Sequence, residues 1–228
     1  MQNTSNLWKQ IAREDYTVEY KADIAGVEYG WGELMEFSTE TPLFGDFSIG
    51  NTTSAQLSFV ILPKGEIPRM AEIKCYKRLV YGAAASEWLP HGVYYIDTRK
   101  KSYDGRLEIQ AFDAMLKANA TWLVHTDILE WPVRMEAAAR DIAKHMGVEL
   151  DSRTVFRTGP DYVVDYPNDY QMSEVLRFIA AAHGGNWVMT YEGKLRLINL
   201  LDTPAETYHL VDSSDGAALL FGNVRVLI

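Results

Sequence analysis

Three carboxylates at four-residue spacing, Asp161, Asp165 and Asp169, are the first residues of this 228-residue chain to examine for chemistry. Two carboxylates facing each other across a groove perform acid–base work in glycoside hydrolysis, and several oxygen ligands together suit calcium. Asp161 with Asp169 is the pair a hydrolase would use. Their setting argues for a solvated loop, because Pro160 and Pro167 flank them and Asp is a common turn former. Asp212-Ser213-Ser214-Asp215-Gly216 begins like a calcium loop but lacks the alternating ligands and closing Glu, so it reads as a turn. His183-Gly184-Gly185 has the wording of an esterase oxyanion loop, which requires a Gly-X-Ser-X-Gly elbow that the chain does not contain. The five histidines (His91, His125, His145, His183, His209) are scattered, with no pair at zinc-ligand spacing. Cys75 stands alone in a strand-like run and reads as a small buried hydrophobe. Phosphate-cradling glycine loops of the Gly-X-Gly-X-X-Gly or Walker type do not occur. The expectation is a scaffold or binding protein with no catalytic, cofactor-binding or metal residues.

Composition narrows the class. A net charge of −9 opposes broad binding to a phosphate backbone, which needs a basic face. The run Arg99-Lys100-Lys101 lies beside the turn Tyr103-Asp104-Gly105 and reads as a solvated hairpin end. The N-terminus has no basic stretch leading into an apolar core, so no signal peptide is expected. No apolar run approaches the ~18 residues of a membrane span, and synthesis and folding in the cytoplasm are expected. Among the many aromatics, Trp88, Tyr94 and Tyr95 on strands could stack on sugars. Barrel cores and subunit contacts use the same residue types, and that reading is preferred.

The elements that must carry these residues follow from periodicity. Leu7–Arg13 reads as a short helix with Asn6 as its candidate cap. Tyr16, Val18, Tyr20, Ala22 and Ile24 alternate with polar residues, as a half-buried antiparallel strand requires. Ala25-Gly26 offers a turn, and Val27–Phe37 reads as the returning strand. Further strands are expected around Leu57–Ile61, Ala71–Leu79, Gly92–Arg99 and Arg106–Phe112, the last two joined by the Asp-Gly turn. Six or more short strands in about 100 residues point to a small barrel or sandwich.

The pattern changes after Phe112. Asp113–Lys117 reads as a helical turn, and Trp131-Pro132 as the opening of a helix that Gly147 stops. Asp151–Tyr170 is a polar connection. Val175, Leu176, Ile179 and Ala180 then share one helical face, Gly184 and Gly185 provide a left-handed stop, and Asn186–Tyr191 with Lys194–Leu200 form a hairpin across Glu192-Gly193. Alternation returns in Glu206–Val211 and Ala217–Ile228. The predicted fold is therefore α+β and β-rich: a discontinuous antiparallel barrel or sandwich of residues 1–118 and 205–228, with an α+β domain at 119–204 inserted. The chain ends on the apolar strand GNVRVLI, an uncovered edge. Such an edge pairs with another segment, or the natural polypeptide continues; the second is preferred.

The succession FSIGNTTSAQLSF, IPRMAEIKCYKRL, EWLPHGVYYIDTRK, LEIQAFDAMLKAN and SEVLRFIAAAHGGNW resembles phage and prophage tail proteins of Gram-positive bacteria, the baseplate-hub or tail-tip family, over roughly residues 7–228. The resemblance implies a virion tail location and a homotrimer in which each protomer supplies two barrel-like domains. Three copies would form a pseudo-sixfold ring beneath the hexameric tail tube, with the distal tail protein, tube and tape measure as partners and DNA passing through. The residues themselves, with no cofactor motif, no apolar span and a net charge of −9, lead to the expectation of no cofactor, no membrane and no specific nucleic-acid binding. A carbohydrate-binding adhesin module and a cell-wall hydrolase stay open as alternatives.

Overall fold

The computed structural model describes residues 2–41, 49–52 and 54–200, with the backbones of 220–221 and 224–225. Helix α1 (Asn6–Ile11) leads into β1 (Thr17–Ile24), β2 (Val27–Tyr29), β3 (Met35–Glu40), β4 (Gln56–Ile61), β5 (Glu72–Tyr81), β6 (Ala84–Ala85), β7 (Leu89–Lys101) and β8 (Leu107–Asp113). Two 3-10 segments follow, Ala114–Asn119 and Trp122–Val124. Then come β9 (Val133–Arg134), α2 (Met135–Met146), β10 (Val163–Val164), α3 (Met172–Ala182), β11 (Gly185–Met189) and β12 (Leu195–Asn199).

The main sheet runs β2-β1-β5-β7-β8-β4-β3, with β6 paired to β5, and every pairing is antiparallel. Sequence neighbours β2 and β3 thus occupy opposite edges. In a flat sheet they would stand about 29 Å apart, at ~4.8 Å per strand. The six Cα steps from Tyr29 to Met35 reach at most about 21 Å, and hydrogen bonds from Glu33 N and Leu34 N to Gly30 O (2.9 and 3.2 Å) shorten the path further. The sheet must therefore curl. Its two ends meet where Tyr20 of β1 stacks on Phe37 of β3, ring centroids 4.4 Å apart. Among the described residues no ladder joins β3 to β1 or β2, so the result is a curled antiparallel half-barrel. Its concave side buries Ala22, Ile24, Leu57, Phe59, Ile61, Ile73, Cys75, Ile96, Ile109 and Ala111, the alternate residues of their strands.

A second core forms after β8. Trp122, Ile142, Met146, Leu176, Ile179, Trp187 and Leu195 are buried together between α2, α3 and the β11–β12 hairpin. Both indoles find polar partners as their burial demands: Trp187 Nε1 donates to Leu176 O and Trp122 Nε1 to Asp141 Oδ2, each at 2.8 Å. No helix among the described residues is long and apolar enough to cross a membrane.

Several local expectations need correction. Val27–Phe37 is not one strand, because Gly30–Leu34 turns the chain from one sheet edge to the other. The α1 cap is Ser5, whose hydroxyl accepts from Trp8 N at 3.0 Å, rather than Asn6, the first helical residue. The helix after Pro132 starts only at Met135, since Val133 and Arg134 first pair with Val164 and Val163. Trp131–Pro132 is a cis peptide. Gly184 is left-handed at φ +65°, but Gly185 already belongs to β11. A Cβ on Gly185 would stand 2.4 Å from Ile198 O of the paired strand, so close backbone approach is what requires glycine there. The strands expected after Pro204 lie outside the described residues, save that 220–221 pairs with 224–225.

Candidate functional site

The side chains with unusual environments gather where the half-barrel meets the α+β unit. Two joints hold this meeting in place. At the first, β8 ends in Asp113, whose buried carboxylate accepts from Ser54 Oγ (2.7 Å), Ala55 N (2.9 Å) and Met115 N (3.0 Å). It thus caps the following 3-10 turn and ties it to the start of β4. Burial pushes its pKa up, opposed by these three hydrogen bonds. At the second joint, Gly50 N donates to Gly185 O, Asn51 N to Asn186 Oδ1 and Trp187 N to Asn51 O, all at 2.9 Å. The edge of the hairpin is thereby stitched to the segment preceding β4.

The hairpin turn consequently overhangs β7. A bulge lies there: Cys75 faces Gly92 and Tyr76 faces Pro90, which leaves His91 without a partner. Bulges re-aim side chains, and this one turns His91 into a cage of rings. Tyr20 and Tyr191 lie 5.3 and 5.5 Å away between centroids, and Nε2 is 3.4 Å from Thr39 Oγ1. Nδ1 is buried with no hydrogen-bond partner. Burial, helped by the Lys77 ammonium, pushes the imidazole pKa down to about 4. A neutral imidazole this enclosed is packing material at neutral pH. Beside it opens a cleft of about 370 Å³, with Gly92–Tyr94 on one wall and Met189–Glu192 on the other. Arg153 at its rim is occupied by Asp151 through two contacts (Nε 2.8 Å, Nη2 2.6 Å), which hold that carboxyl well below the usual range.

The residues singled out from sequence do not converge on this place. Asp161, Asp165 and Asp169 are all exposed on the connection before α3, and Asp212–Gly216 lies outside the described residues. His183 is fully buried. Its Nδ1 meets Ile179 O at 2.8 Å, and its ring packs against Phe156 and Tyr162, as suits the end of a helix. Cys75 is buried in the half-barrel and its thiol is pushed up to about 12, which makes it a poor nucleophile. Of the aromatics expected on strands, Tyr94 is buried and Tyr95 lies under Lys117 Nζ at 3.5 Å. Trp88, which precedes β7 rather than belonging to a strand, is covered by Lys21 and Arg78. Arg99–Lys101 is exposed at the end of β7.

Sequence reading missed Asp113, the bulge and one donor cluster. Asp127, Asp141 and His145 each place a ligand atom within 4.8 Å of the others. Only the Asp141–His145 spacing of four on a helical face could have signalled it. Asp113 had a local signal too, an Asp directly before a helical turn.

No family model matches the sequence, and no curated protein does either. Solved structures do match in fold. The 43 kDa tail protein of prophage MuSo2 from Shewanella oneidensis is 13% identical with a TM-score of 0.54, over 80% of this chain and 56% of that one. A tail protein from Neisseria meningitidis MC58 is also 13% identical, with a TM-score of 0.50, over 79% of this chain and 50% of that one. The chain spans about half the length of these structures, and what it shares with them is the fold of prophage tail proteins.

Proposed function

We propose that this chain is a structural component of a bacteriophage or prophage tail, forming a trimeric hub ring beneath the tail tube. The observation that carries the reading is a likeness in fold to two prophage tail proteins over about four-fifths of the chain, at 13% identity. In this reading residues 1–118 and 205–228 make the barrel domain and 119–204 the insertion. The distal tail protein, the tube and the tape measure are the neighbours. A closed ring requires head-to-tail interfaces repeated between protomers. Among the described residues β2 and β3 are the edge strands of the main sheet, and pairing across subunits is one way such edges are covered. A net charge of −9 suits a channel to which passing DNA does not adhere. The side-chain chemistry agrees with a scaffold: His91 and His183 are packing residues, and the Cys75 thiol is pushed far from reactivity.

Mass in solution tests this reading. Light scattering coupled to size exclusion, run across a concentration series, should show weak association rising toward the trimer mass, because a ring of this kind is completed on its neighbours. A strict monomer at every concentration would remove the ring, and a tight trimer below micromolar concentration would remove the weak-assembly part.

A further inference from the structure

Helix α2 sets Asp141 and His145 one turn apart on the same face, toward the loop that follows the second 3-10 segment. Trp122 anchors that loop. Its ring is fully buried, and its Nε1 donates to Asp141 Oδ2 at 2.8 Å. The indole orients the carboxylate and leaves Oδ1 facing His145 Nε2 at 3.5 Å. That nitrogen is buried and makes no hydrogen bond in this arrangement. Asp127 brings a third ligand atom, all three lying within 4.8 Å of one another. The His125 ring stands 6.2 Å from that of His145.

We infer that Asp127, Asp141 and His145 form a binding site for a first-row divalent metal ion of the zinc type. One imidazole and two carboxylates are a donor set suited to zinc and its neighbours, whereas calcium and magnesium take oxygen ligands throughout. Metal bonds of about 2.0–2.2 Å would draw the donors somewhat closer together. Asp127 supplies that movement: its side chain is exposed and its present partner, Lys144 Nζ at 2.8 Å, is an exposed ammonium that can return to water. The Trp122–Asp141 hydrogen bond is the outer contact that fixes a ligating carboxylate. Three protein ligands leave room for water or His125 as the fourth. The ion would clip the loop to α2 and so strengthen the α+β unit. This site is independent of the tail reading.

Titrating the untagged chain with zinc by calorimetry, and with cobalt by visible absorption, tests the assignment. Expected are one ion per chain, a cobalt spectrum of four-coordinate type, and a Tm that rises with zinc. His145→Ala and Asp127→Ala should each weaken binding by about tenfold or more and abolish the zinc-dependent rise in Tm. Asp127→Ala removes only an exposed side chain, so its folding is not in question. No binding by the wild-type chain up to about 1 mM metal, or undiminished affinity in either variant, would overturn the inference.

Discussion

Acidification should expose the enclosed imidazole at the barrel bulge. His91 is 9% exposed and has a pKa of about 4, against 6.5 when free. The folded state therefore holds it neutral while the unfolded chain protonates it, so its contribution is fully present above pH 6.5 and is lost as pH falls toward 4. At pH 4.5 the unfolded state gains about 2.7 kcal/mol from protonation and the folded state about 0.2 kcal/mol, a loss of about 2.5 kcal/mol. The cations and rings facing the imidazole, Lys77, Tyr20 and Tyr191, supply no carboxylate to rescue the charged form. The assay is urea unfolding of the wild type and His91→Gln at pH 7.0, 6.0, 5.0 and 4.5. Other titrating groups cancel in the difference between the two proteins. The wild type should lose about 2 kcal/mol relative to the variant across this range, about 4–8 °C in Tm for a chain of this size. A difference constant within about 0.5 kcal/mol would refute the burial argument.

The two glycines after α3 should separate by mechanism. Gly184→Val, at φ +65°, should cost about 1–2 kcal/mol through left-handed strain. Gly185→Ala, whose Cβ would sit 2.4 Å from a paired-strand carbonyl, should cost about 3 kcal/mol or more; equal melting temperatures for the two variants would contradict this. Asp113→Ala strands the donors of Ser54, Ala55 and Met115 and should lower stability by about 2–4 kcal/mol in urea titration. Cys75 should resist a disulfide exchange reagent in the native state and react only at the rate of unfolding, as its burial and raised pKa require. Rapid labelling of the folded chain would count against its placement in the core.

Strands β1, β4, β5, β7 and β8 were legible because alternation of apolar and polar side chains is a local property, set by the period of the backbone. The same holds for α2 and α3, whose apolar faces and glycine stops, Gly147 at φ +72° and Gly184 at φ +65°, lie within a few residues of one another. The Asp104-Gly105 hairpin and the Glu192-Gly193 turn were equally local. Residues 27–37 show where local reading ended. Their pattern fits one strand, yet Gly30–Leu34 sends the two halves to opposite edges of the sheet, a matter of global curl that no window of ten residues encodes. His91, next to an expected strand, and Cys75, within one, carry no local sign of how their surroundings differ. Only the bulge distinguishes the caged imidazole from the buried thiol, since a register shift belongs to the pairing of two strands. Asp127, Asp141 and His145 likewise come together through a loop pinned by Trp122 from nineteen residues away. Apolar periods, the Asp104-Gly105 and Glu192-Gly193 turns and the glycine stops of α2 and α3 were set by local sequence. Strand order, the curl of the sheet and the convergence of its polar groups were decided by tertiary packing, because they depend on distances between segments that the chain's local preferences do not contain.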